Sequence, residues 1–95
     1  MIVGYHILNM LPNLEILVLS QTSITNIGVK TLSYYPDRFK ILQLYATHIT
    51  DESIPYLKLM TKLQFLDIRN TKITPYAYID LINFFQHINP DIQII

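Results

Sequence analysis

The chain has 95 residues, 51% of them apolar and 15% charged, which fits one domain with a sizeable core. Its net charge is zero, so electrostatics give no case for a nucleic acid or an anionic membrane as partner. No apolar run approaches the ~18 residues that span a bilayer. The chain has no cysteine and hence no disulfide, which fits a reducing compartment and predicts a cytoplasmic protein.

The chain is built from a repeated pattern that follows an opening segment. The first eleven residues, MIVGYHILNML, are predicted to form the helical half of a unit without a strand. Copies then begin at Leu14, Phe39, Leu63 and Ile92, and they read LEILVLSQTSIT, FKILQLYATHIT, LQFLDIRNTKIT and IQII. Repetition decides the architecture of a chain. We therefore divide a single domain, 1–95, into a partial unit 1–13, three units at 14–38, 39–62 and 63–91, and a partial unit 92–95.

Each full copy is predicted to contain a short strand and a turn. The alternation in Leu66-Asp67-Ile68 is apolar, polar, apolar, which is typical of a strand with one buried face. Five residues later an isoleucine should return to the same core, at Ile24, Ile49 and Ile73. Between strand and isoleucine lies a threonine whose hydroxyl can bond a freed backbone group, at Thr22, Thr47 and Thr71. The alternative is that these threonines are only β-prone residues on an exposed turn.

Helical segments are predicted after each Ile-Thr pair. Thr25, Thr50 and Thr74 are candidate N-caps. Pro55 would remove a bond from a helix that began at Asp51, so we expect that helix to begin nearer Ser53. The segment 75–87, PYAYIDLINFFQH, is predicted to form a helix of about three turns. We interpret its aromatic stripe as additional core or as a cover over the end of the repeats, in preference to a ligand site.

The repeated pattern, apolar-x-x-Leu-x-Leu-x-x-Thr-x-Ile-Thr, resembles the leucine-rich repeat family. The copies begin at 14, 39, 63 and 92, in steps of 25, 24 and 29 residues, and units of this family have about 20 to 29. Threonine stands where the family often has Asn or Cys. The resemblance implies an α/β fold, a short right-handed solenoid with a parallel sheet on its concave face and helices on its convex face.

The sequence contains no motif typical of catalysis or of cofactor binding. His6, His48 and His87 lie in different units, and no two have the i, i+4 spacing of a helical zinc site. The pair Asp51-Glu52 is explained by the start of a helix. With only two glycines, no phosphate-binding loop can be drawn. We therefore expect no enzymatic activity, no cofactor and no metal.

The outward side chains of the strands are the remaining candidates for a function. Aligned across copies, they form four columns: Ile16, Ile41, Phe65 and Ile94; Val18, Gln43 and Asp67; Ser20, Tyr45 and Arg69; and Gln21, Ala46 and Asn70. An exposed apolar column beside tyrosine and arginine is typical of a binding surface. The alternative is that Ile and Phe are simply good strand formers. We select as partner-binding residues Ile16, Ile41, Phe65, Tyr45, Asp67 and Arg69.

Protein–protein recognition on the concave strand face is therefore the expected function, with a protein partner of unknown identity. Two alternatives stay open. The units resemble the substrate-selecting repeats of F-box ubiquitin ligase receptors, although no F-box is visible, and the chain could also be a structural fragment of a larger repeat protein. Low charge at the first strand and at the last partial unit further predicts self-association through uncapped ends.

Overall fold

The computed structural model describes residues 14–95. The predicted helix over the first eleven residues, the partial unit 1–13 and His6 lie outside the described residues. The elements, in chain order, are β1 (Ile16–Val18), α1 (Asn26–Ser33), β2 (Ile41–Gln43), a 3₁₀ turn (Asp51–Ser53), α2 (Ile54–Leu59), β3 (Phe65–Asp67), α3 (Pro75–Ile88) and β4 (Gln93–Ile94).

The four strands form one parallel sheet in which each strand pairs with the next one along the chain, in the order β1-β2-β3-β4. Parallel neighbours need a long crossover connection, and each crossover here contains a helix. Ile16 pairs with Ile41, and Ile41 pairs with Phe65. The fold is therefore α/β, and the predicted alignment of the three full copies is confirmed over their strands.

The predicted register of the last strand is wrong by one residue. Phe65 pairs with Gln93, and Leu66 pairs with Ile94. Ile94 consequently packs against the core, and Gln93 takes the outward position that we had assigned to Ile94. A slip of one residue moves every side chain of a strand to the other face of the sheet. The alternation Ile92-Gln93-Ile94 is apolar, polar, apolar and agrees with an outward Gln93, but the copy had been aligned by its first residue, which set Ile94 level with Phe65.

Strands and helices meet in one apolar core. Leu42 and Leu66 of the central strands are fully buried, as are Leu57 of α2 and Phe85 of α3. Burying a side chain of this size contributes about 1.5–3 kcal/mol to the free energy of unfolding. The predicted inward residues that are buried are Leu19, Leu42, Leu44, Leu66, Ile68, Ile24 and Ile49, whereas Leu17 and Ile73 are partly buried at its margin.

The turn after each strand has the same construction in all three full units. The threonine hydroxyl donates to the backbone carbonyl three residues earlier: Thr22 to Leu19 at 2.6 Å, Thr47 to Leu44 at 2.8 Å and Thr71 to Ile68 at 2.8 Å. The predicted bonding role of these hydroxyls is confirmed. The preceding residue has left-handed backbone in each case, with φ of 59° at Gln21, 56° at Ala46 and 55° at Asn70.

The predicted N-caps are confirmed for two of the three threonines. The Thr50 hydroxyl accepts from the backbone N–H of Glu52, and the Thr74 hydroxyl accepts from that of Ala77. The prediction is wrong for Thr25, whose side chain forms no cap bond to α1. The expected delay at Pro55 is confirmed, since a 3₁₀ turn ends at Ser53 and α2 begins at Ile54.

Side chains at one repeated position tie each unit to the next. The amide oxygen of Asn26 accepts from the Thr50 backbone N–H at 2.9 Å, and its amide nitrogen donates to the Thr50 hydroxyl at 2.8 Å. At the equivalent position, Asp51 accepts from the backbone N–H of Thr74 at 2.7 Å and from the Thr74 hydroxyl at 2.8 Å. Ser53 also donates to Asn26. Each helix start is thereby bonded to the one before it.

Truncating Leu44 tests the position of the core. Leu44 is fully buried, so Leu44→Ala should lower the free energy of unfolding by about 2–5 kcal/mol, through lost burial and a cavity. Leu59 is 54% exposed, and Leu59→Ala should change the free energy of unfolding by less than about 0.5 kcal/mol. Chemical denaturation followed by circular dichroism measures both. Equal losses in the two variants would contradict the assignment of Leu44 to the core.

Ala46 offers a test of the repeated turn. Its φ of 56° is unfavourable for alanine, and asparagine, found at Asn70 with φ of 55°, tolerates this region better. Ala46→Asn should therefore raise the free energy of unfolding by about 0.5–1 kcal/mol. The control at the same site is Ala46→Val, which should lower it by at least about 1 kcal/mol because β-branched residues disfavour positive φ. Thermal melting of the three proteins measures their order of stability, which should be the Asn variant, then the parent, then the Val variant. A Val variant as stable as the Asn variant would contradict this prediction.

Candidate functional site

The strand side chains that alternate away from the core form one surface, which we call the outer sheet face: Ile16, Val18, Ile41, Gln43, Phe65, Asp67 and Gln93. Ile16 is 55% exposed and Val18 is 58% exposed, although both are large and apolar. Ile41 and Phe65 continue the apolar surface across β2 and β3 and are partly exposed. The outer sheet face thus has an apolar stripe that crosses three neighbouring strands.

A cluster of four polar or aromatic residues borders this stripe at the ends of the strands, and we call it the arginine cluster: Tyr45, Asp67, Arg69 and Asn70. The guanidinium of Arg69 donates from Nε to Asp67 Oδ1 at 3.0 Å and from Nη2 to Oδ2 at 2.9 Å. It also lies 5.3 Å from the centre of the Tyr45 ring. Asn70 donates to the Tyr45 hydroxyl at 3.3 Å. Arg69 is therefore held from two sides while its side chain stays 58% exposed.

Asp67 occupies a different environment from the one we expected. It was selected as an exposed partner-binding carboxylate, but it is only 5% exposed. Both of its oxygens accept from the Arg69 guanidinium, and Oδ1 accepts from the Arg69 backbone N–H as well, at 3.1 Å. The bonds from the Arg69 side chain hold the pKa of Asp67 below its ordinary value, against the opposing effect of burial. Asp67 thus orients Arg69 and is not itself open to a partner.

The other selected residues fall on one continuous surface. Ile16 and Arg69 are exposed, while Ile41, Tyr45 and Phe65 are partly exposed. Four residues of this surface were not selected: Val18, Gln43, Asn70 and Gln93. The first three stood in the outward columns predicted from the sequence, and Gln93 was missed because the predicted register of the last strand was wrong. The bond from Asn70 to Tyr45 joins residues of different units and depends on the left-handed turn at Asn70, which an asparagine signals only weakly.

Exposed ion pairs lie on other surfaces of the described part of the chain. Ion pairs join Lys40 to Glu15 at 3.4 Å and Lys58 to Asp80 at 2.7 Å, and such exposed pairs contribute little. Within residues 14–95, no three His, Asp or Glu side chains come together as a metal ion would require. No helix in that range is long and apolar enough to cross a membrane.

Comparison with known proteins finds no relative: no family model, no curated protein and no solved structure matches this chain.

The pair formed by Asp67 and Arg69 predicts a dependence of stability on pH. The pKa of Asp67 is lower in the folded than in the unfolded chain, so the ionised carboxylate stabilises the fold above its unfolded pKa. This contribution is lost as the pH falls through the folded pKa. Asp67→Asn cannot ionise, so the stability difference between parent and variant should narrow as the pH falls from about 7 to about 3. Urea denaturation at several pH values measures it, and a difference that did not change with pH would contradict the pair.

Proposed function

We propose that this chain is a leucine-rich repeat module that binds a protein partner through the outer sheet face and has no catalytic role. The observation that supports the proposal best is the exposure of Ile16 and Val18 on a stripe that continues to the arginine cluster. A preference for strand-forming residues would account for Ile and Val there, but threonine forms strands as well and tolerates water better. Large apolar side chains that line up across strands mark binding sites more often than solvated surfaces.

The repeat architecture proposed here is a short right-handed solenoid. Its support lies in the strand order, which follows the chain, and in the turn that recurs with a threonine bond and a left-handed residue in three units. Repeats of this kind present a row of outward strand residues that the packing of the core leaves free to vary. We also propose a cytoplasmic location, because a chain without cysteine suits a reducing compartment.

The arginine cluster adds the polar part of the proposed interface. Arginine and tyrosine are enriched among the residues that contribute most to binding energy. Their contribution is largest where apolar neighbours exclude water. Tyr45 and Arg69 lie side by side at 5.3 Å, next to the apolar stripe. The outer sheet face therefore combines an apolar centre with a polar margin, as protein interfaces do.

A matched pair of substitutions tests the proposed function. Ile16→Asp places a carboxylate in the apolar stripe, whereas Ile27→Asp makes the same change on α1, where the side chain is 77% exposed. Both variants should keep the melting temperature of the parent within a few degrees, since neither residue is buried. Immobilised parent and variants are exposed to extract of the source organism, and bound proteins are quantified by mass spectrometry.

The expected result is a protein retained by the parent and by Ile27→Asp and reduced at least about tenfold by Ile16→Asp, because a charge in a desolvated contact is costly. Arg69→Ala should weaken retention of the same protein. Captured proteins that do not distinguish Ile16→Asp from Ile27→Asp would refute binding at the outer sheet face.

A further inference from the structure

The spacing of the apolar stripe limits what can lie across it. Ile16, Ile41 and Phe65 occupy paired positions on three adjacent strands, so they stand in a row at right angles to the strands. Adjacent strands lie about 4.8 Å apart, so the row repeats at that distance. A ligand that contacts every strand must present a side chain at nearly the same interval.

An α-helix meets this requirement better than an extended segment. A helix advances about 5.4 Å per turn, so residues at i, i+3 or i+4, and i+7 lie on one face at close to the strand spacing. An extended segment presents same-face residues about 6.6 Å apart, every second residue, and falls out of step by the third strand. A helix lying across the strands would set one apolar side chain beside each of Ile16, Ile41 and Phe65.

The charge beside the stripe determines how such a helix is oriented. The turns that follow the strands, 20–23, 45–48 and 69–72, contain Arg69 and Lys72 and no carboxylate. Among the side chains of residues 14–95, the acidic group between these turns and the stripe is Asp67, which is buried and bonded to Arg69. Two of the five guanidinium N–H groups are used by Asp67, which leaves about three free to bond a new acceptor. Asp67 balances the charge of Arg69, so Lys72 supplies the net positive charge of this margin, while the remaining N–H groups of Arg69 supply donors.

On these grounds, and resting on the proposed function, we propose that the outer sheet face binds an amphipathic helix of a protein partner. The helix crosses β1, β2 and β3 and places apolar residues at i, i+3 or i+4, and i+7 against the stripe. A carboxylate on one flank of the helix meets Arg69. Helices docked by apolar anchors at this spacing are a recurring form of peptide recognition.

Two displayed peptide libraries test the proposal on the full chain. The first carries peptides with strong helix propensity and one randomised face. The second carries random peptides interrupted by proline, which prevents helix formation. Both are selected on the immobilised parent, and enriched peptides are synthesised and titrated by fluorescence anisotropy. The proteins titrated are the parent, Ile16→Asp, Arg69→Ala, the control Ile27→Asp and the charge control Lys62→Ala.

The expected outcome is enrichment from the helical library alone, with apolar residues at the stated spacing and Asp or Glu on one flank. Ile16→Asp should weaken binding at least about tenfold, and Ile27→Asp and Lys62→Ala should leave it unchanged. Replacing the peptide carboxylate should weaken binding to the parent several-fold but have little further effect on Arg69→Ala, because the two changes remove the same contact.

The other outcomes separate this inference from the proposed function. Enrichment of the proline-containing peptides, with loss on Ile16→Asp, would overturn the helical partner and leave binding at the outer sheet face intact. Helical binders that tolerate Arg69→Ala and carry no acidic residue would overturn the assigned orientation. If no peptide from either library depended on Ile16, both the helical partner and the proposed binding face would be refuted.

Discussion

Main-chain hydrogen bonding between successive units is the constraint on which the rest of this structure depends. The strands are only two or three residues long, yet the bonds continue beyond them, from Gln21 N–H to Tyr45 O at 2.7 Å and from Ala46 N–H to Arg69 O at 2.9 Å. The chain must turn at these residues while its N–H groups stay directed at the next unit, and left-handed backbone allows this. The threonine that follows bonds the carbonyl that the turn would otherwise leave free. Because the paired backbones are in register, the core leucines that they carry stack on one another in register as well.

This constraint separates the residues that the fold requires from those that it leaves free. Asn26 and Asp51 are polar and partly or largely exposed, yet their bonds to Thr50 and Thr74 explain their presence without any ligand. Ile16 and Val18 have no comparable task, since they point away from the core and bond nothing through their side chains. Burial and capping do not account for them, and for this reason we propose that they contact a partner. The same comparison assigns Asp67 to the structural group and Arg69 to the surface that a partner could contact.

The sequence predicted what alternation and repetition encode, and it failed where either signal was weak. The three full copies have the same apolar positions and the same threonine in the turn. Strand pairing, the core residues and the threonine hydrogen bonds were therefore predicted correctly. Ile94 was misplaced because a copy of four residues is too short to fix the alignment of the repeat, although the alternation Ile92-Gln93-Ile94 agrees with the observed register. The burial of Asp67 was missed because a carboxylate at an outward strand position is expected to be exposed. Its burial depends on the hydrogen bonds from the Arg69 side chain, which the sequence does not show. The left-handed turns were also missed, since the usual signal is glycine and the chain has Gln, Ala and Asn there.

The support that Arg69 receives from Asp67 and Tyr45 has a consequence for the entropy of the proposed binding. An arginine side chain that is immobilised on binding loses about 1.5–2 kcal/mol of rotamer entropy. Arg69 has already lost much of this freedom in the isolated chain, since two hydrogen bonds and an aromatic ring restrict it. A hydrogen-bond acceptor that bound Arg69 would therefore cost less side-chain entropy than one that bound a freely rotating arginine. Removing the Asp67 carboxylate would release this restraint on Arg69, so it would weaken the proposed binding although the carboxylate itself is buried.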